Sequence, residues 1–278
     1  MKVGVRQASA ASQDSNQPMT DSHPKTALIT GASSGIGAEF ARQLAGRGHN
    51  LILVARRIDR LETLAAELQD RHGITAEPLI ADLSTTAGID KVAARLAELS
   101  NLTLLVNNAG FGISGSLARA ELQGQLDMLN VHVVAAMRLS HAALPGMIAR
   151  GAGGIINVAS LAAYTALPGN VNYCATKAYL VTFSEALAAE VRREGVKVQA
   201  LCPGFTITEF HDDEPPADAT RERMPRLLWG SAQAVVVDSL RALDRGQVIC
   251  VPGFVNRMIR LLARTGLVSR LAPAFLEK

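Results

Sequence analysis

The chain is expected to fold as an α/β domain, with a doubly wound parallel sheet and helices on both of its faces. Three observations predict this. Short apolar runs alternate with helical stretches along most of the chain. The first run flows directly into a glycine-rich loop, TGASSGIG from Thr30 to Gly37, and a helical stretch follows at once. The composition is that of a globular protein, with 48% hydrophobic and 19% charged residues.

Each element has its own signal. KTALIT fits a buried parallel strand, and AEFARQLAGRG after the glycine loop reads as a helix ending in glycine. NLILVA is a second strand, followed by the helical stretch RRIDRLETLAAELQDRHG. TAEPLIA is a third, with Asp82 and Leu83 just beyond it, and the helical AGIDKVAARLAELS comes next. LTLLV leads into the turn NNAG, from Asn107 to Gly110. A long helical region then runs from about Glu121 to Arg150, with a break expected near Pro145 and Gly146. GIINVAS, KVQALC and the VIC near residue 248 complete the strands, and NVNYCATK opens the helix between GIINVAS and KVQALC.

The pattern βα repeats without an internal repeat or a low-complexity linker, so residues 25–252 make one Rossmann-type domain. Residues 1–24 lack an apolar core segment and read as a flexible tail, not a signal peptide. Residues 253–278 form a C-terminal extension in which Arg257, Arg260 and Arg264 recur at helical spacing opposite Val255, Met258, Ile259 and Leu262. Such a basic amphipathic helix caps a cleft, meets another subunit or makes a weak membrane-surface contact.

Composition removes several classes of function. A net charge of +3 without aromatic-basic interleaving gives no footprint for nucleic acid. The cysteines, Cys174, Cys202 and Cys250, are widely spaced and match neither a metal pattern nor a disulfide framework. A reducing, cytoplasmic setting is therefore expected, and no metal site. No apolar run in the sequence approaches the ~20 residues that span a bilayer.

The chemistry lies in NVNYCATK. Tyr173 and Lys177 are four apart, which puts both on one helix face. A cation beside a phenol favours the phenolate and lowers a pKa that starts near ~10. Upstream, Ser160 ends a strand-like run, where its hydroxyl can hold a carbonyl or alcohol while the phenol moves a proton. In the glycine loop Gly31 permits the tight turn, Gly35 admits a pyrophosphate to the backbone, and Gly37 allows close helix packing. The phosphate would sit on the helix N-terminus. A carboxylate at the end of the second strand would bind a ribose 2′-hydroxyl, but Ala55 stands there, followed by Arg56 and Arg57. A guanidinium suits a 2′-phosphate, and Arg56, beside the missing acid, carries most of that expectation.

The loop spacing is Gly-xxx-Gly-x-Gly. Together with NNAG, Asn130, Ser160, the Tyr173/Lys177 pair and Pro203-Gly204, in that order, it resembles the short-chain dehydrogenase/reductase family over roughly Lys25 to Val251. The resemblance implies an NADP(H)-dependent oxidoreductase acting on a small-molecule carbonyl or secondary alcohol. It implies a catalytic set of Asn130, Ser160, Tyr173 and Lys177, in which Asn130 anchors a water that links the lysine to solvent. Cofactor contacts would come from Gly31, Ser33, Ser34, Gly35, Ile36 and Gly37, from Arg56, and from Asp82 and Leu83 beside the adenine. Asn108, Ala109 and Gly110 would line the ribose. Pro203, Gly204 and Thr206 would meet the nicotinamide end, besides Tyr173 and Lys177 themselves.

Ser160 and Tyr173 would hold the substrate, with Phe205 and Phe210 supplying apolar lining in the polar, acidic loop from Ile207 to Pro225. His132 reads as an ordinary polar helix residue. Within the family a 3-oxoacyl or hydroxysteroid-type dehydrogenase is the alternative, and a non-catalytic NADP-binding protein a more distant one. The resemblance also implies a homodimer or homotetramer, in which the long helices containing Asn130 and Tyr173 pair across a two-fold axis, and their outer faces here carry Met137, Leu144, Phe183 and Leu187.

Overall fold

The computed structural model describes residues 25–207 and 229–264. Phe210 and most of the segment from Ile207 to Pro225 lie outside the described residues, as do residues 1–24 and 265–278. The elements are β1 (Thr26–Thr30), α1 (Gly35–Ala45), β2 (Asn50–Ala55), α2 (Ile58–His72), β3 (Ala76–Ile80), α3 (Thr86–Ala97), β4 (Leu102–Asn107), α4 (Leu122–Leu129), α5 (Ala136–Ala149), β5 (Gly153–Val158), α6 (Val171–Glu190) and β6 (Val196–Leu201). They continue with β7 (Thr206–Ile207), β8 (Gly230–Ser231), α7 (Ala232–Asp244), β9 (Ile249–Cys250) and α8 (Phe254–Arg264).

Seven strands form one parallel sheet in the order β3-β2-β1-β4-β5-β6-β9, and β7 pairs with β8 apart from it. The apolar runs are strands because both of their faces are covered. On one side Phe40, Leu44, Leu61, Leu68, Val236 and Leu240 bury α1, α2 and α7 against the sheet. On the other Ile89, Val92, Leu139, Met147 and Leu187 do the same for α3, α5 and α6. Each such side chain contributes about 1.5–3 kcal/mol on burial. The strand order reverses between β1 and β4, so the loops after these two strands diverge and leave a crevice at the carboxyl edge.

The long helical region differs from its sequence reading. Pro145 lies inside α5, and the helix runs through it. Proline forfeits one main-chain hydrogen bond, and the burial of Leu139, Ala143 and Met147 holds the helix regardless. The irregularity falls instead at Asn130–Ala135, a π-helical stretch that joins α4 to α5. The whole run Leu122–Ala149 is long and apolar enough to cross a membrane by length and composition. Its second half packs against the sheet through Ala135, Leu139, Ala143 and Met147.

The C-terminal extension begins with a helix, α8, as expected. Arg260 lies over the Tyr164 ring, 5.1 Å from its centroid, and the Nε of Arg257 donates to the Val251 carbonyl at 3.0 Å. These basic side chains engage the body of the protein. Phe254, Met258, Leu261 and Leu262 face solvent. Of the four residues expected on an oligomer face, Met137 is exposed, Leu144 and Phe183 are partly buried, and Leu187 belongs to the core.

Candidate active site

The glycine loop is held from beneath. Thr30, the last residue of β1, is buried and its hydroxyl accepts the N–H groups of Asn108 and Ala109 at 2.9 and 3.0 Å. The Asn108 amide donates to the carbonyls of Thr30 and Gly31 at 2.9 and 3.2 Å. The loops after β1 and β4 are thereby locked together across the crevice. Asn108 thus serves the loop with its side chain and is not turned toward a ribose with it. Gly37 has no room for a side chain, since a Cβ there would lie 2.2 Å from the Gly31 carbonyl oxygen. Gly35 has φ 55°, the left-handed region that glycine enters without cost.

The start of α1 is prepared for an anion. Ser34 occupies its N-cap position in extended geometry without a side-chain cap hydrogen bond, and the first turn contains no acidic residue. By contrast, α3 and α7 are capped by the hydroxyls of Thr85 and Ser231. Arg57, not Arg56, reaches this loop: its Nη2 donates to Ser33 Oγ at 3.1 Å and to Ser34 Oγ at 2.9 Å. Arg56 acts on Asp82 instead. Burial alone would raise the Asp82 carboxyl, but hydrogen bonds from the Ser84 N–H and hydroxyl, and the Arg56 charge, hold it below its usual value. This donor set of uncapped N–H groups, two hydroxyls and a guanidinium fits a dinucleotide with an extra phosphate. Leu83 is buried in the core and offers a cofactor only its backbone, while Ile36 packs half-buried against the core.

Asn107, at the end of β4, donates to Asn157 Oδ1 at 2.8 Å, and Asn157 donates to Ser184 Oγ at 2.9 Å. This buried polar ladder ties β4 to β5 and β5 to α6, which fixes the helix that carries Tyr173 and Lys177. Lys177 is 4% exposed, and its Nζ donates to the Val158 carbonyl at 3.0 Å. The same Nζ lies 5.6 Å from the centroid of the Tyr173 ring. Burial lowers the lysine to about 7, and no carboxylate among the described residues pairs with it.

Ser160 follows the end of β5 by two residues. Its hydroxyl oxygen accepts the Ala162 N–H at 3.1 Å, which leaves the hydroxyl hydrogen to donate elsewhere. The Lys177 bond to Val158 therefore brings the phenol-bearing helix to the strand end that presents Ser160. Asn130, the first residue of the π-helical stretch, donates to the Ser84 carbonyl at 2.8 Å.

The turn after β6 closes the edge. Pro203 accepts from the Leu161 N–H at 2.8 Å, and Thr206 donates to the Gly204 carbonyl at 3.1 Å. A Cβ on Gly204 would lie 2.5 Å from Asn256 Oδ1, so α8 packs directly on this turn. Phe205 and Trp229 pack at 5.4 Å between ring centroids. Sequence reading missed His132. Far from being an ordinary polar helix residue, it is 1% exposed and bonded on both ring nitrogens. Its apolar neighbours Val131 and Val133 were the available signal.

An uncapped glycine loop at the reversal of a parallel sheet, with a half-buried tyrosine, a buried lysine and a serine at the ends of neighbouring strands, defines a nucleotide-dependent oxidoreductase of the α/β class. Comparison with known proteins gives the family. The short chain dehydrogenase model matches residues 25–219, and the chain belongs to that family. A short-chain dehydrogenase from Sphingobium yanoikuyae, solved in complex with NADPH, is 36% identical, covers 88% of this chain and 95% of its own, and superposes with a TM-score of 0.78. The bulky-bulky ketone specific alcohol dehydrogenase from Comamonas testosteroni is 33% identical over 88% of this chain and 94% of its own, with a TM-score of 0.74. A 3-oxoacyl-acyl-carrier-protein reductase from Rickettsia prowazekii is 32% identical over 219 residues, 78% of this chain and 88% of that protein.

Proposed function

We propose that this protein is an NADP(H)-preferring oxidoreductase that interconverts a ketone and a secondary alcohol, with Tyr173 as the acid/base. The observation that carries this reading is the buried Lys177, anchored on Val158 and lying over the Tyr173 ring beside the strand end that bears Ser160. The nicotinamide, when bound, supplies or accepts the hydride. Ser160 donates its hydroxyl hydrogen to the carbonyl oxygen and orients it. Tyr173 donates a proton to that oxygen in reduction and removes one in oxidation. Lys177 keeps two further N–H donors for ribose hydroxyls and stabilises the tyrosinate. Asn130, held by Ser84, supports a water path by which the lysine is reprotonated. A screen of ketones and alcohols with NADPH and NADH tests the reading, and no turnover with any carbonyl would sink it. The alternative of a 3-oxoacyl substrate is favoured by the Rickettsia relative and belongs in the same screen.

The preference for NADP(H) rests on Ala55 in place of an acid and on the Arg57 contacts to Ser33 and Ser34. Arg57→Ala and Arg56→Ala are each expected to lower the NADPH-to-NADH ratio of kcat/KM. Losing one charge-assisted contact to phosphate costs on the order of 1.5–3 kcal/mol, roughly ten- to a hundredfold. A wild type that favours NADH, or two variants with unchanged ratios, would reject the assignment.

A homodimer or homotetramer is proposed on the solvent faces of α4, α5 and α6. Leu122, Leu126, Met137, Val171 and Tyr179 are exposed there at 69%, 42%, 41%, 52% and 36%. Sedimentation at micromolar concentration should give a multiple of the 29.4 kDa chain, and a pure monomer would contradict the proposal. Adding anionic vesicles to the same run tests whether the outer face of α8 touches lipid.

A further inference from the structure

We propose that His132 is a positioning residue for proton transfer, a neutral imidazole that braces the loop after β4 to the helix bearing Tyr173 and Lys177. The hydrogen bonds leave a single tautomer. The Phe111 N–H donates to His132 Nε2 at 3.1 Å, so Nε2 must be bare. Thr176 Oγ1 gives its only hydrogen to the Tyr173 carbonyl at 2.9 Å. It must therefore accept at its 2.9 Å contact with His132 Nδ1, and Nδ1 carries the proton.

One ring thus joins three elements: the loop that follows Asn107–Gly110, the π-helical stretch and the first turns of α6. Its plane stands edge-on to Tyr173, with centroids 5.8 Å apart. Its position also explains Gly110, where a Cβ would lie 2.8 Å from His132 Nε2 and 3.4 Å from Lys177 Nζ. A side chain at Gly110 would displace the imidazole and crowd the lysine.

The environment keeps the ring neutral. Burial, then the Lys177 charge, hold its pKa well below the ordinary histidine value. Protonation would remove the acceptor for the Phe111 N–H and place a second cation beside Lys177. The π-helical turn at Asn130–Ala135 is the local device that carries this side chain in the buried layer at the functional edge. The brace acts on where Tyr173 and Lys177 stand, and small displacements of reacting groups are costly, with about 1 Å capable of costing ~10²-fold.

The proposal rests on the oxidoreductase reading for its kinetic arm only. Thr176→Val removes the acceptor of Nδ1–H, and Thr176→Ser retains it. His132→Phe keeps a ring and deletes both bonds. On the best carbonyl substrate, Thr176→Val and His132→Phe are expected to lower kcat by roughly ten- to a hundredfold with KM little changed. Thr176→Ser should stay near wild type. The second arm uses the protein without cofactor: ¹⁵N-imidazole NMR should show His132 as the Nδ1–H tautomer, uncharged at neutral pH. The Phe111 amide should exchange faster in His132→Phe. An Nε2–H or charged ring overturns the brace, whatever the activity. So does a Thr176→Val protein as fast as Thr176→Ser, which remains decisive if His132→Phe does not fold. A wild type without turnover removes the proposed function, while the NMR arm still tests the brace.

Discussion

Tyr173→Phe is expected to abolish most turnover and leave almost everything else in place. The substitution deletes one oxygen and conserves the ring, so the packing against His132 and the Lys177 contact survive. Cofactor affinity should change little, because the binding groups proposed for it are the glycine loop, Arg57 and Lys177. The lost group is the proton donor, and removal of a general acid costs typically ~10²–10⁴ in rate. Fluorescence titration with NADPH beside kcat separates the two. A variant with normal affinity and near-normal kcat would make Tyr173 a packing residue and leave Ser160 without a partner in the chemistry.

Much of this site was legible because its parts are local. TGASSGIG sits between an apolar run and a helix, and strand, loop and helix fold as read. Tyr173 and Lys177 share a helix face by spacing alone, and strands buried on both faces betray themselves by continuous apolar runs. What escaped was contact at a distance. That Arg57 rather than Arg56 turns back to Ser33 and Ser34 depends on the exact phase at which α2 begins. His132 looked polar and idle because its partners, Phe111 and Thr176, come from two other elements.

The same limit applies to the helices. Proline was read as a break at Pro145, but burial of one helix face outweighed one lost hydrogen bond. For α8 the sequence left a cleft cap, a subunit contact and a membrane surface open, and the contacts of Arg260 with Tyr164 and of Arg257 with Val251 come from elements far away in the chain. Leu187 looked like an interface residue and proves to be core, because α6 is apolar on more than one side.

Lys177→Met should make the unliganded protein more stable and the enzyme much worse. Lys177 is buried, donates one hydrogen bond to Val158 and has no carboxylate partner among the described residues. Burial depresses it from 10.5 to about 7. The sign follows from proton binding. Between about 7 and 10.5 the unfolded chain holds the lysine proton and the folded chain releases it, so stability falls as pH drops through this window. At or below neutral pH the penalty is a few kcal/mol, roughly 3–5 by linkage. Methionine fills the space without a charge to desolvate.

The Tm of Lys177→Met should therefore exceed that of wild type at pH 6–7, and the gap should narrow as the pH rises toward 9. Burial raises Cys202 to about 11 and Cys250 to about 12, which gives the opposite pH dependence; Cys250 is common to the two proteins, while Cys202 interacts with the Lys177 charge, so the comparison is made below pH 9, where both thiols stay protonated. The variant should also lose kcat and bind NADPH about tenfold or more weakly, through the lost charge-assisted bonds to ribose. A fall in Tm at pH 6.5 would contradict a net cost of burying the ammonium. Unchanged NADPH affinity would detach the lysine from the cofactor and confine it to the tyrosine.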